Sequence, residues 1–110
     1  MTYVAHPASA SPETESFSYS AAQSPLPTPA RANTIVMAVK RVCAAAQTDV
    51  LMSANRQALT LVIKNDITSV GALTLTPNTG ETVDGLSTFV LQPDDAVTLF
   101  NTSTTSWVII

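Results

Sequence analysis

From Ala58 to Ile110, apolar and hydroxyl-bearing residues alternate in short runs separated by clusters of Asn, Asp, Gly and Pro. Successive strand side chains point to opposite faces, so alternation of this kind predicts half-buried strands, and the clusters predict the turns between them. Leu59, Leu61 and Ile63 share one face while Thr60, Val62 and Lys64 share the other. Asn65-Asp66 ends that run, because both side chains bond to nearby backbone and tolerate turn geometry. Leu73 and Leu75, interleaved with Thr74 and Thr76, predict the next strand, stopped by Pro77-Asn78-Thr79-Gly80. Thr82-Val83 leads into the turn dipeptide Asp84-Gly85. Thr88 to Leu91, Ala96 to Phe100 and Trp107 to Ile110 follow as strands, with Gln92 to Asp95 as a turn and Asn101 to Ser106 as a polar loop.

Upstream, Ile35 to Val42 is rich in β-branched residues and predicts the first strand of the body. Ile35, Met37 and Val39 fall on one face, and Val36, Ala38, Lys40 and Val42 on the other. A helix over Met37 to Gln47 is the rival, since the run of alanines satisfies either period. Asp49 to Arg56 reads as a short strand ending in a turn. Strands eight to twelve residues apart with turn signals between them define an all-β class, a small sandwich or barrel joined mainly by antiparallel hairpins. The inward set Leu59, Leu61, Ile63, Leu73, Leu75, Phe89, Leu91, Val97, Leu99, Trp107 and Ile109 is its expected core.

The preceding residues have a different texture. Pro7, Pro12, Pro25, Pro27 and Pro29 are five of the seven prolines, set among Ser, Ala and Thr. Proline fixes φ and biases its predecessor to extended backbone, so residues 1–33 read as an extended or disordered arm and residues 34–110 as the body. Ser16-Phe17-Ser18-Tyr19-Ser20 alternates aromatic and small polar residues, a pattern suited to a strand added to another chain's sheet. Phe17, Tyr19 and Leu26 are therefore candidate arm contacts. A tail whose aromatics do nothing accounts for the same composition.

Charge sharpens the picture of the body. Five basic and eight acidic residues give a net charge of −3, against any role that depends on neutralising phosphates. Only 12% of residues are charged while 45% are hydrophobic, sparse for a small domain facing water on all sides. The strand faces opposite the core carry Val62, Val90, Phe100, Val108 and Ile110, which marks these five as candidate subunit-interface residues. All five bases precede residue 65 and most acids follow it. That division suits either a head-to-tail ring or ordinary pairing within one chain, and the second is the simpler expectation.

The sequence carries little catalytic or ligand chemistry. His6 sits in the arm with no fixed neighbour, and no histidine lies in the body to activate a serine. The single cysteine, Cys43, forms no internal disulfide and reads as a small buried hydrophobe. Asp84, Asp94 and Asp95 lack the spacing of a calcium loop and read as solvated turn acids. Asn101-Thr102-Ser103 fits the glycosylation pattern, a match that is frequent by chance. Trp107 suits a carbohydrate platform less than a core position, since it alternates with apolar neighbours. No catalytic residue, metal ligand or cofactor site is expected, and the chain reads as a non-enzyme. The N-terminal residues have neither the basic region nor the apolar run of a signal peptide, and no apolar run is long enough to span a bilayer.

Five segments carry a resemblance: Leu59-Thr-Leu-Val-Ile-Lys-Asn65, Leu73-Thr-Leu-Thr-Pro77, Gly80-Glu-Thr-Val-Asp-Gly85, Leu91-Gln-Pro-Asp-Asp-Ala-Val-Thr-Leu99 and Ser106-Trp-Val-Ile109. With Val50 to Arg56 before them, they resemble a β module of tailed-bacteriophage virion proteins, found at tail-fibre and spike ends and in small capsid-associated proteins. The resemblance implies a homotrimer and a structural role, and carries no catalytic motif. In long fibres the module caps a much larger protein, whereas here it is joined to little more than the Pro-rich arm. That departure favours a capsid decoration, or cement, protein on the virion surface. Its partners would be its own copies and the major capsid protein, with neither nucleic acid nor membrane involved. The alternative is a tail-fibre, head-fibre or spike component that contacts the host.

Overall fold

The computed structural model describes residues 13–31, 33–54 and 59–110, apart from the side chains of Glu13 and Thr102. The protein is all-β. Its strands are β1 (Glu13–Tyr19), β2 (Thr34–Arg41), β3 (Gln47–Val50), β4 (Thr60–Asn65), β5 (Leu73–Thr76), β6 (Thr82–Val83), β7 (Phe89–Leu91), β8 (Ala96–Ser103) and β9 (Ser106–Ile109). No helix occurs among the described residues; Met37 to Arg41 take the strand alternative, and the alanines Ala44 to Ala46 form a bend after it.

Two sheets result, a six-stranded one in the order β1-β2-β4-β8-β9-β6 and a three-stranded one in the order β3-β5-β7. The expectation of a mainly antiparallel body is corrected. β1–β2, β2–β4, β3–β5 and β6–β9 are parallel, and only β4–β8, β5–β7 and β8–β9 are antiparallel. The reason lies in the path. After β1 the chain crosses to the other sheet, where Val50 N donates to Gln23 O and Leu26 N donates to Val50 O, each at 2.8 Å. It then returns as β2, crosses as β3, and repeats as β4 and β5. Each return enters the same sheet in the same direction, as in a coil. The pairings Phe17 with Val39 and Val39 with Ile63 make successive passes 22 and 24 residues long (39 − 17 and 63 − 39). The last part of the chain reverses: β7 runs back along β5 and β8 back along β4.

For residues 13–31 the division into a separate arm and a body is also corrected. β1 is a full member of the six-stranded sheet, Leu26 and Pro29 are buried, and Phe17 and Tyr19 pack against the core with rings 6.0 Å apart. The prolines here do not hold the chain away from the body; Pro25, Pro27 and Pro29 lie on its passage from one sheet to the other. Residues 1–12 lie outside the described residues.

The core lies between the sheets. Met37, Leu61, Ile63, Leu73, Leu75, Leu99 and Trp107 are fully enclosed, with Val39, Leu91 and Val97 nearly so. Phe89 is partly buried, while Ile109 at the sheet's margin and Ile35, beside an irregularity in the β1–β2 register, are exposed. Asp84-Gly85 forms the anticipated tight reversal: Val83 and Leu86 exchange backbone hydrogen bonds, with φ of 50° and 76° at the two central residues. Asn65-Asp66, by contrast, is a corner between sheets.

Among the described residues, one ionic group lies inside. Arg41, at the end of β2, donates from Nε to Asp49 Oδ2 at 2.5 Å and from Nη2 to Asp49 Oδ1 at 3.0 Å and Gln47 Oε1 at 2.7 Å. Its Nη1 reaches Tyr19 O at 2.9 Å, and Asp49 Oδ1 also accepts from Gln23 N at 2.9 Å. Both side chains are wholly shielded from solvent. Replacing one partner strands the other charge, so Arg41→Leu is expected to lower unfolding free energy by ~3–5 kcal/mol in urea titrations.

A second test concerns the stacked corners. A Cβ on Gly71 would sit 2.1 Å from the Ala45 carbonyl carbon, whereas Gly80 has open space and only its φ of 81° to satisfy. Gly71→Ala is expected to cost about 3 kcal/mol or more, because backbone must move, and Gly80→Ala about 1 kcal/mol. Equal losses in the two variants would contradict the close approach of the corners.

Candidate interaction surface

The outer face of the six-stranded sheet is built by alternation. Wherever Met37, Val39, Leu61, Ile63, Val97, Leu99 and Trp107 point inward, their neighbours point out. Register aligns these neighbours in rows. Val36, Thr60, Phe100 and Val108 form one row across β2, β4, β8 and β9. Ser16, Ala38, Val62 and Thr98 form the next, and Ile110 joins it through a hydrogen bond from its N to Thr98 O at 2.9 Å. A third row holds Ser18, Lys40, Lys64 and Ala96.

The first two rows contain no charged side chain. Phe100, Val62, Val108, Val36 and Ala38 are half-buried by their neighbours alone, and Ile110 is 69% exposed. The third row is basic but internally matched. Lys64 Nζ contacts Asp94 Oδ1 at 2.7 Å and Asp94 O at 2.6 Å, and Lys40 lies 4.0 Å from Asp66. With Arg41 on Asp49, these contacts are the ordinary intrachain pairing that the uneven charge distribution allowed.

The structure thus brings together four of the five candidate interface residues, Val62, Phe100, Val108 and Ile110. It separates Val90, which is 49% exposed on the outer side of the three-stranded sheet beside Thr74 and Thr48. Phe17 and Tyr19 pack against the chain's own core, and Leu26 is part of it.

A second apolar surface was not legible in the sequence. Ile67 and Val70 are 68% and 79% exposed, at the corner after β4. The backbone beneath them is tightly held. Thr68 N and Oγ1 donate to Asp66 Oδ2, Ser69 N to Asp66 O, and Val70 N to Cys43 O at 2.8 Å. Ser69 Oγ accepts from Cys43 N at 2.9 Å, so the corner is fixed to the one before it, where Ala44, Ala45 and Ala46 are exposed. The available signal was two β-branched residues inside a segment bounded by Asp66 and Gly71.

Residues with chemical potential are engaged structurally. Asn101 is buried, accepts from Leu59 N at 2.8 Å and donates to Ala54 O at 3.1 Å, so its amide is closed to glycosylation in the folded chain. Trp107 is fully enclosed and offers no platform to a sugar. Asp84 accepts from Ile109 N and Asp95 from Gln92 N, fastening turns. Cys43 is buried, which pushes its thiol above its ordinary pKa. Among the described residues no three His, Cys, Asp or Glu side chains converge as a metal site. His6 and Arg56 lie outside the described residues.

The chain matches no protein-family model, no curated protein and no solved structure.

Two carboxylates link the surface loops to pH. Glu15 accepts from the Thr34 hydroxyl, from Ala30 N at 2.8 Å and from Arg31 N at 2.9 Å, which holds it below its ordinary value of 4.5. The hydroxyl and amide of Thr68 hold Asp66 below 3.8. A pKa depressed by folding stabilises the native state above the unfolded value and loses that contribution as pH falls through the folded one. The urea midpoint is therefore expected to drop on acidification below about pH 4. Glu15→Gln and Asp66→Asn should each show a smaller drop than the parent chain.

Proposed function

We propose that the protein is a structural component of a tailed-bacteriophage virion, a capsid decoration protein that binds the outer shell as a trimer and stabilises the joints between capsomers. The observation that carries this reading is the pair of separate apolar surfaces, the neutral sheet face and the rigid Ile67–Val70 corner, on a chain whose polar side chains serve its own turns and core. A protein that must hold both its own copies and a shell needs two such surfaces. The resemblance of Leu59 to Ile109 to phage virion modules supplies the setting. Buried area added across capsomer joints raises the free energy needed to separate them. The folding of residues 13–31 into the body supports contact with the shell through the folded surface.

A fibre or spike role is the second reading. It is favoured by the parallel passes, whose stack is closed by antiparallel strands at β8 and β7, while among the described residues β1 has no neighbour on its outer edge. Labelling purified particles with antibody to the chain distinguishes the two. Decoration predicts label distributed over the whole shell, and particles lacking the protein that break at lower temperature and under milder osmotic shock. Label confined to the tail or to one vertex, or equal resistance of both particles, defeats the decoration reading.

A further inference from the structure

The outer face of the six-stranded sheet and the outer face of the three-stranded sheet differ in what they can hold. Six strands about 4.8 Å apart, with about five residues each at 3.3 Å, present roughly 500 Å². Two such faces together bury about 1,000 Å², the lower bound for a specific interface. Three strands of three or four residues present roughly 170 Å², so the Val90 face is too small to cover the larger one. Only a surface of equal extent matches it.

Charge points the same way. The chain carries −3 overall, and bringing copies together is opposed wherever acids face each other. The rows centred on Phe100 and Val62 contain no acidic side chain, and the two lysines beside them are matched by Asp94 and Asp66 of their own chain. Like faces can therefore meet without a charge conflict. Phe100 is the single aromatic in these rows, flanked by Thr60 and Val108, which suits the anchor of a contact.

We propose that the six-stranded faces of neighbouring copies pack on one another around the symmetry axis of a homo-oligomer, with Phe100 as the anchor and with Val90 and the Ile67–Val70 corner left outside. This names the partner of one of the two surfaces above and rests on the reading of that face as a contact surface. It is decided by oligomeric state in solution, whereas the virion assignment is decided by particle labelling, so either can fail alone.

The experiment is sedimentation equilibrium of the full chain and its variants at micromolar concentration, with circular dichroism to confirm folding. The parent chain is expected to be oligomeric. Phe100→Lys sets like charges against each other across the contact and should reduce the mass to the 11.5 kDa of one chain. Ile110→Lys, at an exposed position, should shift the equilibrium the same way and decides the matter if Phe100→Lys does not fold. Val90→Asp and Ile67→Asp should leave the mass unchanged. A monomeric parent chain, folded face variants that remain oligomeric, or dissociation by Val90→Asp or Ile67→Asp would each overturn the proposal.

Discussion

The buried contact between Arg41 and Asp49 is where the passes of the chain are joined. Arg41 ends β2, Asp49 lies in β3, and the guanidinium also takes the last carbonyl of β1, while the carboxylate takes the amide of Gln23 on the crossing before β2. One ionic pair thus meets chain from both sheets and two successive passes. Charges removed from water are tolerated only when nearly every donor and acceptor is matched, and here four elements must be in place at once. The surrounding apolar side chains supply the driving force for burial, but apolar contact is non-directional. The ion pair supplies direction, since a pass shifted by one residue would leave a charge without its partner.

A wound chain with parallel passes imposes its own limits. The corners must stack as closely as the strands do, which accounts for Gly71 against the backbone of Ala45 and for the alanines around Cys43. At these corners Cys43 and Ser69 turn inward, whereas Ile67 and Val70 stand in solvent, with Val70 N held by Cys43 O. On the outer side of the six-stranded sheet the same regularity places every second residue of β2, β4, β8 and β9 on one face. A corner and a sheet face are different kinds of contact surface, and the fold produces both from the same repeat.

Much of the core was legible because alternation reports burial directly. Leu59, Leu61, Ile63, Leu73, Leu75, Leu99 and Trp107 could be assigned inward from period alone, and the matching outward set already contained Val62, Phe100 and Val108. Strand direction was not legible, because turn-forming residues mark a change of course without its angle. Asn65-Asp66 is a corner that leads to the second sheet and Asp84-Gly85 a reversal, yet both are polar dipeptides after a strand. Prolines misled for a related reason: extended backbone serves a crossing between sheets as well as a free arm. Arg41 was hidden by its charge, which pattern reading assigns to solvent. Its place inside is set by Asp49 and Gln47, whose approach depends on the crossing between β2 and β3.

The parallel stack with a reversing end also gives the molecule a modular width. Each complete pass costs 22 to 26 residues, from the offsets Phe17 to Val39 and Gln47 to Leu73, and adds one strand to each sheet. Insertion of one such pass between β3 and β4 would widen the six-stranded face by about 4.8 Å while the closing strands kept their own pairings. The size of the face is thus a matter of counting turns, separable from the chemistry of its rows and from the way the stack ends.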